Sequence, residues 1–442
     1  MSVASGPEQL QRAIGPRTLA FATVNAIVGS GIFVLPALVS LKLGAAAILA
    51  YLVCGALIFM IALCFAELGS GTTRTGGLYA YIEEAFGPYA GFLGSNIYWF
   101  GGSMLADAAI ANALADILSG FFPVMGSGMV RIFFILGLFS LLAMLNIRSV
   151  KHGIRFVEFA TLAKLVPLII LVVVAAWFVD PANLRWNISP SWSGVGGASL
   201  LLFYAFLGLE TPLINGGEIK DARRTVPRGL LLGLAMVLLL YISIQLVIQG
   251  ILGDELQANT ASPLGAVAAL AMGSPGLVAI TLVMFVSMTG TMGGNMLCTP
   301  RILYAAGRDG SLPKQLGRVH ERCTTPYIAI MAYALIGCTV AITGNFRQLA
   351  ILSSASVLIV YLGVVSVLLK RRLRKEATPK GTFRAPGGVL LPIIAASGIL
   401  WLLSNLEQQE WVAMAVFVAL LSVMYAGSLQ LKKRSAQKVL AT

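Results

Sequence analysis

Lys164 lies near the middle of a largely apolar stretch from Phe156 to Leu171. Eight residues of helix separate it from Phe156, about 12 Å of rise, which puts the ammonium near the middle of a membrane-length segment. A lysine there costs about 2.5–3.5 kcal/mol on insertion scales, so it must face protein or water rather than lipid. A desolvated ammonium also sheds its proton more readily than an exposed one, which makes Lys164 a candidate proton carrier. The alternatives are a fixed charge that props a neighbouring helix and a side chain that snorkels to the interface. Two further apolar segments are interrupted by glycine and polar residues: Val28-Gly29-Ser30-Gly31-Ile32-Phe33 and Tyr204-Ala205-Phe206-Leu207-Gly208-Leu209-Glu210-Thr211-Pro212. A buried cation with two broken helices at corresponding places of two half-chains is the pattern of a secondary transporter.

These residues need a membrane-embedded frame, and the composition supplies one. Hydrophobic residues make up 58% of the 442 residues and charged residues 11%, against about 25% charged in an average globular domain; the mean hydropathy is +0.87. A spanning helix needs about 20 apolar residues. Twelve stretches qualify, near 18–40, 45–66, 88–118, 129–147, 156–179, 196–217, 228–252, 263–297, 325–343, 348–369, 389–405 and 411–430. The expected fold is therefore an all-α polytopic membrane protein, a single transmembrane domain over 1–442. The polar first seventeen residues run into the first span, with no cleavable leader evident.

The net charge of +13 does not call for nucleic acid. With the amino terminus inside, nearly all Lys and Arg fall on inner loops. Only Lys42, Arg131, Arg185 and Arg347 lie opposite, with Lys164 in the membrane. By the positive-inside rule both termini are expected in the cytoplasm, at the cell (inner) membrane. The five cysteines form no CxxC pair. With His152 and His320 in inner loops and no Cys/His/Asp/Glu cluster, no metal or cofactor is expected.

The two interruptions have complementary chemistry. At Gly29-Ser30-Gly31 an unwound backbone frees amides at the start of the outer half-helix, where the helix dipole favours a carboxylate. The inner half ends with carbonyls at Ala26 and Ile27, suited to a cation. The sixth span runs the other way. Its outer half ends near Tyr204–Leu207, Gly208 loosens the chain, and Thr211-Pro212 reads as a helix restart. Together the breaks make a clamp for a zwitterion such as a free α-amino acid. Close packing by Gly29 and Gly31 is the competing reading; a nucleotide loop is not, since no strand precedes it.

With these residues in view, the chain resembles the amino acid–polyamine–organocation (APC) transporters. The resemblance rests on Gly29-Ser30-Gly31-Ile32-Phe33-Val34-Leu35-Pro36, on Phe206-Leu207-Gly208-Leu209-Glu210 with Glu218 to Arg228, and on Arg301 to Pro313 after the eighth span. It implies a LeuT-like fold: inverted five-helix repeats over about 18–180 and 196–370, discontinuous helices 1 and 6, and extra helices over about 389–430. It implies that the amides around Gly29, Ser30 and Gly31 hold a substrate carboxylate, and that Ile27, Tyr204 and Leu207 carbonyls take the ammonium. Ala205 and Phe206 complete that break, Tyr204 closes over the substrate, and Asn295 walls the side-chain pocket. Lys164 would then stand where related transporters hold a sodium ion, reaching toward the first break.

Ala106, Asp107, Glu210 and Ser354 remain candidates for the side-chain pocket or a proton path. Asp107 could receive a cationic side chain or simply bond a neighbouring helix. Glu210 could complement a helix dipole or handle protons. Glu67 and Glu158, near the inner interface, read as structural. The expected partners are an amino acid, neutral for want of an acidic cluster, a proton and the lipid bilayer, with no obligate protein partner. Proton-coupled uptake, substrate exchange and a non-transporting sensor stay open. A membrane enzyme and a channel are disfavoured, because neither a catalytic constellation nor a continuous polar path is visible.

Overall fold

The computed structural model describes residues 14–71, 77–126, 128–148, 154–186, 189–213, 219–257, 259–308, 310, 312–376 and 381–440. These form α1 (Pro16–Ile27), α2 (Gly31–Leu43), α3 (Ile48–Gly71), α4 (Gly77–Phe86), α5 (Pro88–Ile97), α6 (Leu105–Ser119), α7 (Gly128–Arg148) and α8 (Ile154–Ala175). After a short link come α9 (Trp192–Phe203), α10 (Ala222–Leu252), α11 (Pro263–Cys298), α12 (Pro300–Arg308), α13 (Tyr327–Thr343), α14 (Phe346–Leu373), α15 (Leu390–Leu403) and α16 (Gln408–Leu440). Among the described residues the sole β feature is an isolated bridge between Ile14 and Ile219.

Each expected stretch is helical over most of its length, but the helices are less uniform than a hydropathy reading implies. Among the described residues six helical runs are long and apolar enough to cross a membrane unaided, including Gly31–Gly71, Ala222–Gln257 and Phe346–Leu373. The third stretch is not one α-helix: α5 and α6 are joined by a π segment, Tyr98–Met104. Its glycines let α14 cross closely, since a Cβ on Gly101 would stand 2.1 Å from Ser356 Oγ. Within α11, Gly273 takes φ +69° and bends the helix ahead of Pro275.

What faces outward confirms the solvent. Leu239, Leu335 and Val423 are each about 70% exposed, and many other Leu, Ile and Val side chains on α7, α8 and α16 are also exposed. Such a surface would be an aggregation liability in water and is ordinary against lipid.

Around the centre, α10 runs alongside the broken α1–α2 pair. Gly229 meets Leu19, Gly233 meets Thr23 and the Ala20 carbonyl, and Ser40 Oγ donates to Gln249 Oε1 at 3.1 Å. On its other side α3 runs antiparallel, with Gly69 against Val226 and Gly55 against Leu238. Cys54, Cys64 and Cys338 are buried, as expected of small core residues.

The basic end of α14 is not purely an orientation signal. Arg372, 5% exposed at its side chain, pairs with Glu67 of α3, itself 7% exposed. Glu67 Oε2 also accepts the Ala385 amide at 2.7 Å, Arg372 donates to Ala385 O at 3.0 Å, and Ser70 Oγ accepts the Phe383 amide at 3.1 Å. Lys370 donates to the Ala85 carbonyl. The structural role expected of Glu67 is thus realised as a staple joining α3, α14 and the following loop. The Glu158 side chain and His152 lie outside the described residues. Arg372→Met leaves the Glu67 carboxylate buried without its cation and should cost about 3–5 kcal/mol, whereas the Arg372→Met/Glu67→Met pair should recover part of that loss. Melting of the detergent-solubilised variants checks this; a single variant as stable as the parent would refute it.

Candidate functional site

Both expected breaks are present. α1 stops at Ile27 and α2 starts at Gly31, with Ser30 at its N-cap. α9 stops at Phe203, a 3-10 turn spans Tyr204–Phe206, and Leu207 is extended. The second half of the sixth span is described only at its start. Thr211–Leu213 make one 3-10 turn, and residues 214–218 lie outside those described. The glycines do different work from that expected. Neither Gly29 nor Gly31 is among the residues with positive φ, whereas Gly208 sits at φ +100°, where a side chain would be strained. Gly31 is required for contact: a Cβ there would stand 2.6 Å from Ala205 Cα. A Cβ on Gly208 would stand 2.7 Å from the Ala26 carbonyl oxygen. Each break therefore seats its glycine against the other break's backbone.

Lys164 is 6% exposed, which removes the snorkelling alternative. Its Nζ donates to Val28 O at 3.2 Å, Asn25 O at 3.3 Å and Thr291 Oγ1 at 3.5 Å. The three protons of an ammonium thus find three neutral oxygens, two of them on the first break. Among the described residues no carboxylate forms an ion pair with it.

Tyr204 turns its hydroxyl into the interior, where it donates to Ala106 O at 3.0 Å. With that proton committed, Ser30 Oγ, 3.0 Å away, donates to the same hydroxyl. Of the carbonyls expected to take an ammonium, Tyr204 O accepts the Leu207 amide at 3.3 Å, and Ile27 O accepts the Gly29 amide at 2.8 Å. Tyr241 of α10 shares its hydroxyl between Ile27 O and Ala205 O, 3.1 Å from each. Phe206 is fully buried and packs against the Tyr241 ring. Tyr241 escaped the sequence reading; its signal is a lone phenol in the Leu-rich run Leu238-Leu239-Leu240-Tyr241.

Asp107, fully buried, accepts from Asn295 Nδ2 at 2.8 Å and from the Tyr333 hydroxyl at 2.9 Å. It therefore joins α6, α11 and α13, and Asn295 is a partner of Asp107 as well as a candidate wall. Glu210, 3% exposed, accepts from Tyr98 at 2.8 Å and from Tyr361. Its carbonyl also takes the Leu213 amide at 2.9 Å. The carboxylate is held by two phenols rather than standing free at a helix start. Ser354 does not join these groups: its hydroxyl turns back on Ala350 O at 2.9 Å. Tyr98, Tyr333 and Tyr361 are further residues that no local motif announces. No grouping of His, Cys, Asp and Glu suited to a metal occurs among the described residues.

An all-helical membrane protein whose two broken helices meet around paired backbone donors and acceptors is a transporter architecture. The amino acid permease family model matches residues 14–423, and the chain belongs to that family, within the APC superfamily. It is an amino acid transporter and not an enzyme. It is 28% identical over 409 residues to the serine/threonine exchanger SteT of Bacillus subtilis, covering 90% of this chain and 91% of that one. It is 26% identical over 410 residues to the branched-chain amino acid permease BcaP of Lactococcus lactis subsp. cremoris, covering 87% and 88%. It is also similar to the methylthioribose transporter of Bacillus subtilis, at 24% identity over 446 residues, covering 96% and 95%.

The glycine contacts separate packing from binding. Gly31→Ala should cost about 1–3 kcal/mol by overpacking against Ala205, with loss of substrate binding as the breaks are wedged apart. Gly29→Ala, whose Cβ would find nothing nearer than 3.7 Å, should melt like the parent. Parental melting and amino acid affinity in Gly31→Ala would overturn the interlock.

Proposed function

We propose that this permease carries neutral L-amino acids across the cell membrane by alternating access, coupled to protons through Lys164. The observation that carries the coupling is the bonding of Lys164: an ammonium in the core, tied to Asn25 O and Val28 O of the first break, without an ionic partner among the described residues. Protonated, it holds those carbonyls. Deprotonated, it keeps fewer donors and releases part of the break. Loading and unloading this proton on opposite sides would then bias the break's conformation.

In the proposed pose the carboxylate meets the first-turn amides around Gly29, Ser30 and Gly31. The ammonium meets carbonyls among Ile27, Tyr204, Ala205 and Leu207, with Phe206 and Asn295 beside the side chain. Asp107 already accepts two neutral donors, which supports a neutral substrate over a cationic one. The chain is read as two inverted repeats, about 18–180 and 196–370, followed by helices over about 389–430. Both termini are assigned to the cytoplasm from the distribution of Lys and Arg. The proposed partners are the amino acid, the proton and the bilayer.

Substrate exchange is the second reading. It is favoured by one observation, that a relative covering 90% of the chain is a serine/threonine exchanger. Lys164 would then be a permanent prop. Full-length protein reconstituted in liposomes decides between them, with labelled amino acids presented under an inward proton gradient, with and without unlabelled amino acid inside. Accumulation in empty vesicles that collapses with a protonophore supports symport. Uptake that requires internal amino acid makes the protein an exchanger. Lys164→Ala should abolish gradient-driven uptake while sparing measurable substrate binding; undiminished gradient-driven uptake would refute coupling through this residue.

A further inference from the structure

Four buried polar atoms on three neighbouring helices have no protein partner: Tyr51 Oη, Ser199 Oγ, and both Nε2 and Oε1 of Gln245. Each of these residues is at most 1% exposed. They come from three helices that the packing register sets side by side. Gly55 of α3 meets Leu238 of α10, and the two helices are antiparallel. Tyr51, one turn from Gly55, is therefore level with the stretch of α10 that carries Tyr241 and, a turn later, Gln245. α9 joins them through Cys54, whose Sγ donates to Ser199 O at 3.1 Å. The Tyr51 hydroxyl lies within electrostatic range of both Tyr241 and Cys54. The cluster thus stands beside the two breaks, next to the phenol that bonds Ile27 O and Ala205 O.

The chemistry of the four atoms selects the guest. Tyr51, Ser199 and Gln245 are all neutral, so nothing in the cluster neutralises an ion. A halide only accepts hydrogen bonds and would leave Gln245 Oε1 unserved. A metal cation only takes lone pairs and would leave Nε2 unserved. Water both gives and takes, and hydroxyls can turn to suit it. We infer that Tyr51, Ser199 and Gln245 enclose an ordered-water site between α3, α9 and α10. The bound water ties the last turns of α9, just before its break, to two unbroken helices. It anchors the sixth span from outside the substrate clamp.

A crystal structure of the full-length protein at a resolution that shows ordered water tests this, with parallel crystals in bromide and rubidium salts. The expected result is a peak within hydrogen-bonding reach of at least two of the three side chains, without anomalous signal from either ion. Tyr51→Phe/Gln245→Leu should lose the peak; a peak retained in that variant would overturn the assignment. A bromide or rubidium signal at the site would replace water with an ion and overturn it too. So would side chains bonded directly to one another with no peak between them. Should the double variant not fold, the parent crystals alone decide.

Discussion

In hydrocarbon a helix that stops halfway leaves amides and carbonyls that no solvent will satisfy, so a broken helix is tolerable only against protein or a polar cavity. Here two broken helices solve the problem jointly. Gly31 lies against the Ala205 backbone, and Gly208 lies against the Ala26 carbonyl. This mutual seating brings the first-turn amides of α2 and the last carbonyls of α1 and of the Tyr204–Phe206 turn into one small volume. Everything polar in the centre follows from that approach. Lys164 caps the carbonyls on one flank, and the Tyr241 hydroxyl caps them on another. The Tyr241 hydroxyl could not serve both breaks if the backbones stood a side chain apart.

Phenols are the preferred connectors of this interior. Tyr204, Tyr241, Tyr333, Tyr98 and Tyr361 each place one hydroxyl on a carbonyl or carboxylate of another helix. A tyrosine brings a single strong donor on a large apolar body, so it can bridge helices without carrying charge into low dielectric. Asp107 and Glu210 are both stabilised in this way, with Asn295 assisting the first. Buried charges are thus held almost entirely by neutral partners. Among the described residues the one deeply buried ion pair, Arg372 with Glu67, belongs to the staple between α3 and α14.

The membrane class, the two breaks and the special status of Lys164 were legible because each disturbs an otherwise apolar pattern. A glycine pair, a proline or a lone ammonium stands out against Leu and Val. The roles within the breaks were less legible. Gly29 and Gly31 read alike in sequence, yet Gly31 is fixed by a contact made 174 residues away, through the segment where Ser30 meets Tyr204. The tyrosine connectors were invisible for the same reason: their partners are set by tertiary register, not by local spacing. Ser354, a plausible pocket group by position, spends its hydroxyl within its own helix.

The π segment Tyr98–Met104 has a further meaning. A π turn is an α-helix that has accommodated an additional residue, and each residue of α-helix advances the phase by about 100°. The third span therefore carries two separately phased faces on one rod. At the start of the π segment, Tyr98 is aimed at Glu210; after it, Asp107 is aimed at Asn295 and Tyr333, and Asn112 at Ala341 O. Excising one residue from the bulge would rotate the second set out of the core while leaving the first in place. A single insertion in an ancestral helix is enough to let two ends of one span answer to different partners.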